Sequence, residues 1–147
     1  MSGDGTIQFC SKGGVATDVA ICSEIGASIL QDGGNAVDAA VASCFCLGVI
    51  NSHSSGLGGG GFMIVQDHKT QKSWGYDFRE AAPMQCSTDM FCRKDDCVYS
   101  SGLSVGVPGE VKGLEAAHKA HGRLKWCEVV KPAAEMARKG FTVTCSQ

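Results

Sequence analysis

Between Val15 and Leu30 the apolar residues fall at 15, 19, 22, 25 and 29, spacings of four and three that place one buried stripe on a helix. Asp18 in its first turn suits the macrodipole, and Gly33-Gly34 supplies a left-handed stop. Asn35 then reads as an N-cap, with Asp38 three residues on in the place of a capping-box acid. From Ala36 to about Ile50 the residues are small and apolar on nearly every side, the pattern of a buried helix able to pack closely on a sheet. Phe62–Val65 is a short apolar strand. After the polar turn 67–72, Trp74, Tyr76 and Phe78 alternate with Gly75 and Asp77, which makes Ser73 to about Phe78 its hairpin partner. Pro83 forbids its continuation. Residues 84–104 have no period and read as loop. A helix follows from about Glu110 to His121, closed by Gly122. A short helix around Trp126–Val130 comes next, then another from Pro132, a good N1 residue, to Lys139, with Gly140 as its stop. Phe141 to Thr144 begins what reads as another strand. Helices and strands mixed in this order predict an α/β (α+β) chain.

Composition narrows the picture. The 147 residues, 15.3 kDa, suffice for one ordinary core, and 44% apolar with 19% charged residues is a globular balance. A net charge of −2 leaves no electrostatic footprint for nucleic acid or for an anionic membrane surface. Residues 1–8 read as a polar leader without the basic and apolar parts of a signal peptide, and residues 9–147 as the structured portion. The longest uncharged run is Ala39 to Gln66. Its apolar part stops near Ile50, after about a dozen residues, where roughly 20 are needed to span a bilayer. The nine cysteines include no C-x-x-C pair of the kind that makes a zinc site. Cys44 and Cys46 sit in a helical run, while Cys86, Cys92 and Cys97 crowd one polar loop. Such a set fits either small buried hydrophobes with free thiols or a chain made for an oxidising compartment.

Candidate chemistry concentrates in Asn51–Phe62, where twelve residues hold five of the twenty glycines. A loop this rich in glycine and hydroxyls is either a tight connector or a cradle whose amides hold an anion. Gly56-Leu-Gly-Gly-Gly-Gly61 satisfies G-x-G-x-x-G formally, but it follows a helix and precedes a strand, the reverse of a dinucleotide site. No Gly-Lys-Ser/Thr ends it, so it is not a P-loop. His53 reads as a cap for the preceding helix end rather than a catalytic group. His118 and His121, three apart on a helix, read as a solvated face in preference to a metal pair, and the sequence calls for neither metal nor cofactor. Arg79 stands just past an aromatic strand. It has two readings, a salt bridge to Glu80 or Asp77 and a bidentate clamp on a carboxylate. No G-x-S-x-G and no triad spacing marks a nucleophile.

Several segments together carry a resemblance. They are Cys22-Ser-Glu-Ile-Gly26, Asp32-Gly-Gly-Asn-Ala-Val-Asp-Ala-Ala40, Asn51-Ser-His and Ser55-Gly-Leu-Gly-Gly-Gly60. Arg79-Glu-Ala-Ala-Pro83, Val107-Pro-Gly-Glu110 and His121-Gly-Arg-Leu-Lys-Trp126 follow in order. From about Phe9 onward the chain closely resembles the start of the large subunit of the γ-glutamyltransferase (glutathione hydrolase) family. The resemblance implies an N-terminal-nucleophile hydrolase, a four-layer αββα sandwich that cleaves itself into two subunits. The new N-terminal threonine of the small subunit attacks the γ-glutamyl amide of glutathione, and the acyl group passes to water, an amino acid or a peptide.

It further implies that Arg79 holds the substrate α-carboxylate and that Glu80 orients the arginine. Ser55, Gly58, Gly59 and Gly60 would line the pocket by packing rather than form an oxyanion hole. Cys22 and Cys46 match a disulfide of animal members, and the family faces the cell exterior at the plasma membrane. None of Thr6, Thr17, Thr70, Thr88, Thr142 and Thr144 has the neighbours of the family's nucleophile, so the resemblance assigns the catalytic threonine to a small subunit outside this sequence. The reading is a portion of a γ-glutamyltransferase. The alternative is a short non-catalytic product or inactive relative acting only through subunit or partner binding. A part of a sandwich by itself is expected to leave sheet edges and an apolar face exposed.

Overall fold

A computed structural model describes residues 9–91 and 101–143, so the leader, Cys92, Cys97 and Thr144 lie outside the described residues. The elements are α1 (Ala20–Gln31), α2 (Ala36–Ile50), β1 (Phe62–Asp67), β2 (Lys72–Asp77), α3 (Glu110–His121) and α4 (Trp126–Lys139), with a 3₁₀ turn at Gly102–Ser104. The helix expected from Val15 begins only at Ala20. The Thr17 hydroxyl bonds the Val19 carbonyl at 2.8 Å and its amide bonds Ser23 Oγ at 2.9 Å, a local pattern that competes with a helical turn. Asp18 therefore precedes the helix, and Val15 reaches the core from extended chain. At the other end, Gly34 N–H bonds the Ile29 carbonyl at 2.9 Å and Gly33, at φ 94°, bonds that of Leu30 at 3.3 Å, a complete Schellman stop.

Asn35 caps α2 as its position predicts: its side chain accepts from the amides of Val37 and Asp38, while Asp38 Oδ2 accepts from Asn35 N at 2.9 Å. Val37, Ala39, Val41, Ala42 and Phe45 of α2 are buried, and its principal neighbours are α1 and α4, helices rather than the expected sheet. The hairpin reaches this core through Met63, Val65 and Tyr76. A disulfide joins Cys22 of α1 to Cys46 of α2 across a Cα separation of 5.5 Å, and Ile50 completes the cluster around it.

Asp38 does more than cap. It is wholly buried, and its carboxylate also accepts from the amides of Arg123 (3.0 and 3.1 Å) and Leu124 (3.3 Å). His118 Nε2 stands 3.2 Å from Oδ1, an ion-pair separation without hydrogen-bond alignment. This overturns the solvated-face reading of the two histidines. His118 is buried against Asp38 and the edge of Trp126 (5.3 Å), and His121 stacks on Trp74 (4.7 Å) and Tyr76 (5.9 Å), fastening the hairpin to the end of α3.

Two further expectations fail. The helix α4 runs unbroken through Pro132, where two helices were expected. Val129 and Ala133 bury on α2 from both sides of the proline and hold the helix despite the missing amide bond, a loss of about 3 kcal/mol. Residues 141–143 form no strand. Gly140, at φ 83°, ends α4, and Phe141 packs on the disulfide cluster instead of entering a ladder.

The hairpin β1–β2 is antiparallel, with Phe62 opposite Asp77 and Asp67 opposite Lys72. Its inward row is Met63, Val65, Trp74 and Tyr76. Its outward row leaves Phe62 and Ile64 at 70% and 79% exposure, the bare apolar face expected of part of a sandwich. Among the described residues no helix is long and apolar enough to cross a membrane.

Candidate functional site

The glycine loop leaves the C-terminal end of α2 and folds on itself. The Asn51 carbonyl accepts from Ser54 N and Ser55 N, both at 2.9 Å, and Gly59 N bonds the Gly56 carbonyl at 2.9 Å. Gly61 and Phe78 exchange backbone bonds of 3.0 and 3.3 Å, which carries the hairpin ladder past the strand ends. The Gly59 carbonyl takes the first amides of α3, from Gly109 (3.0 Å) and Glu110 (3.1 Å). On the far side Ala81 pairs with Val107. Residues 78–81 thus run between the loop and the entry to α3. That fit is close enough to demand missing side chains: a Cβ on Gly60 would stand 3.0 Å from both Arg79 Cα and Glu80 N, and one on Gly113 would enter the Phe78 ring. The amides of Ser54, Ser55, Gly59 and Gly61 serve internal backbone bonds, and the loop is a close-packed connector.

Behind it lies a cleft of about 320 Å³. The residues expected to bind substrate or line its pocket, Arg79, Glu80, Ser55, Gly58, Gly59 and Gly60, line it together with Ser52, Ser54, Gly56 and Glu110. Arg79 Nη1 stands 2.7 Å from Glu80 Oε2, an ion-pair separation without hydrogen-bond alignment, while Asp77 Oδ1 accepts only the backbone amide of Arg79 at 3.1 Å, so of the two salt-bridge partners considered from sequence the guanidinium meets Glu80. The two readings of Arg79 are compatible, because its side chain stays 58% exposed and a guanidinium carries five donors. His53 is exposed in the turn after α2 and does not line the cleft. A wider trough of about 1310 Å³, between residues 9–18 and the small residues of α1 and α2, gathers none of the cleft candidates.

Sequence reasoning gave Glu110 no role. It opens α3, where an acid ordinarily reads as an exposed helix start, yet it is only 6% exposed. Burial pushes its carboxyl above the usual value, the charge of Glu80 pushes the same way, and the nearby amide of Gly56 opposes both. Its Oε2 and Glu80 Oε1 each lie 3.6 Å from the point a Cβ on Gly59 would occupy. Glycines at 109 and 113, flanking Glu110 at helical spacing, were the available signal of a closely packed face. Burial also raises the Cys44 thiol, with Glu110 adding to the effect, which leaves Cys44 a neutral packing residue.

The family model described as gamma-glutamyltranspeptidase matches residues 22–147. Glutathione hydrolase proenzyme 2 of Schizosaccharomyces pombe is 48% identical over 133 residues, 90% of this chain and 22% of the relative. Glutathione hydrolase 3 of Arabidopsis thaliana is 51% identical over 132 residues, 90% and 21% respectively. The chain therefore spans about a fifth of the length of these curated relatives. The crystal structure of Helicobacter pylori gamma-glutamyltranspeptidase superposes with a TM-score of 0.90 at 34% identity, over 97% of this chain and 42% of that one. The fold is thus part of the N-terminal-nucleophile hydrolase sandwich, its helices and one hairpin. The chain belongs to the γ-glutamyltranspeptidase family.

Proposed function

We propose that this chain is the part of a glutathione hydrolase that grips the α-carboxylate of the γ-glutamyl group, with Arg79 as the clamp. The observation that carries the reading is the Arg79–Glu80 pair in the cleft, a guanidinium braced on one side and open on the other. Glu80 orients the fork. The glycine loop and the entry to α3 fix the backbone beneath it, so substrate would meet a group already in place. In this reading the substrates are γ-glutamyl amides such as glutathione. The attacking threonine belongs to the small subunit of the same precursor, and the acyl group leaves to water, an amino acid or a peptide. The outward face of the hairpin, with Phe62 and Ile64, meets the rest of the sandwich. The Cys22–Cys46 bridge suits the extracellular face of the plasma membrane.

The test is Arg79→Met and Arg79→Lys in the complete enzyme. A charge-assisted bond to carboxylate is worth about 1.5–3 kcal/mol, so the KM for a γ-glutamyl substrate should rise roughly 10- to 100-fold with methionine. Lysine restores the charge without the fork and should recover only part of it. An unchanged KM in both variants would sink the assignment.

A further inference from the structure

Glu110 is the charged group of the cleft that the clamp leaves unused. It is nine-tenths buried, its Oε1 has no hydrogen-bond partner among the described residues, and its carboxyl lines the same cleft as Arg79. The groups facing it are Glu80 and Arg79 beyond β2, Cys44 on α2 and the amide of Gly56 in the loop. Arg79 is already matched by Glu80 at 2.7 Å. With Glu110 neutral the cleft is balanced. With Glu110 ionised it carries a net negative charge, which repels an incoming carboxylate.

We infer that Glu110 is a positioning residue of the clamp: lining the same cleft as Glu80, with both carboxylates against Gly59, it sets whether the Arg79–Glu80 pair presents a neutral or a negative face to the substrate. The inference rests on Arg79 being the carboxylate clamp. Burial and the neighbouring Glu80 hold the Glu110 carboxyl above its ordinary value of 4.5, so its charge appears as pH rises above that value. The sign follows. Affinity for a carboxylate is highest while Glu110 keeps its proton and falls as the proton leaves.

The experiment measures KM for a γ-glutamyl substrate and for its α-carboxamide counterpart, between about pH 4.5 and about pH 7.5, in the complete enzyme and in E110Q. The slope is read below about pH 6.5, where the ammonium of either substrate keeps its charge. One added unit charge at this range, partly screened, should weaken carboxylate affinity on the order of tenfold in the wild type. E110Q should hold the low-pH affinity throughout, with the change in KM rather than kcat. The wild type alone supplies the second arm, since the carboxamide substrate should lose the pH dependence whether or not E110Q folds. A wild-type KM flat with pH, a carboxamide that keeps the slope, or E110Q with the wild-type slope each overturns the inference. Arg79→Met separates the two proposals. If it leaves KM unchanged the clamp itself falls, whereas if it raises KM while E110Q keeps the wild-type slope, only the role of Glu110 falls.

Discussion

Replacing Asp38 by alanine removes a single acceptor that serves three backbone amides and faces a buried histidine. The amides of Asn35, Arg123 and Leu124 would lose a charged partner, and His118 would keep its place with no carboxylate beside it. Hydrogen bonds to charged acceptors contribute about 1.5–3 kcal/mol each, but these share one carboxylate and are not additive. The loss on breaking one partner of a buried polar pair, about 3–5 kcal/mol, is the better guide. About 4 kcal/mol is a large share of the roughly 5–15 kcal/mol that holds a domain together. At about 3 °C per kcal/mol for a chain of this size, the melting temperature should fall by about 12 °C. Asparagine keeps the shape and one acceptor oxygen for the amides, and can turn its NH₂ toward His118, so Asp38→Asn should cost about 1–2 kcal/mol. Urea unfolding followed by circular dichroism measures both. Alanine losing less than about 1 kcal/mol, or asparagine losing as much as alanine, would refute the view of Asp38 as a shared acceptor.

Other outcomes follow from the same packing. Serine at both Cys22 and Cys46 should cost about 3 kcal/mol on the chain-entropy model, read as a lower melting point that reductant no longer shifts. Gly60→Ala pushes a methyl into the Phe78–Glu80 backbone and should destabilise by about 1–3 kcal/mol in urea unfolding, while weakening substrate binding through displacement of Arg79. Because the folded state raises the Glu110 carboxyl, the stability this group contributes is complete below about pH 4.5 and is lost as pH rises through the raised value. Melting curves should therefore show Glu110→Gln gaining on the wild type as pH climbs from that point, and a constant difference would contradict the burial argument.

The parts legible in the sequence are those governed by neighbours along the chain. Asn35 with Asp38, the glycine pair at 33–34, the alternation of Trp74 and Tyr76, and the Arg79–Glu80 doublet declare themselves within a few residues. What failed depended on distant partners. Val15 is apolar at the right phase for α1, yet Thr17 bonds its own neighbourhood and delays the helix. Pro132 reads as a helix start, but burial of Val129 and Ala133 on α2 carries one helix across it. His118 looks solvated until Asp38, eighty residues earlier, turns out to lie beside it. Glu110 is hidden for the same reason. Its burial comes from a loop fifty residues away, and no local pattern encodes that approach.

The helix α3 is tied at both ends to what lies at the two ends of α2. At its start, Gly109 and Glu110 bond the carbonyl of Gly59, beyond the end of α2. Just past its close, Arg123 and Leu124 bond Asp38 in the first turn of α2. Two fixed moorings make residue count the constrained quantity. Inserting or deleting one residue between them rotates one end by about 100° and shifts it by about 1.5 Å, so both sets of bonds cannot survive together. Side-chain identity is far freer at the exposed positions Lys112, Ala116 and Lys119, which touch neither mooring. The segment therefore works as a gauge block: it tolerates a change of surface and not a change of length.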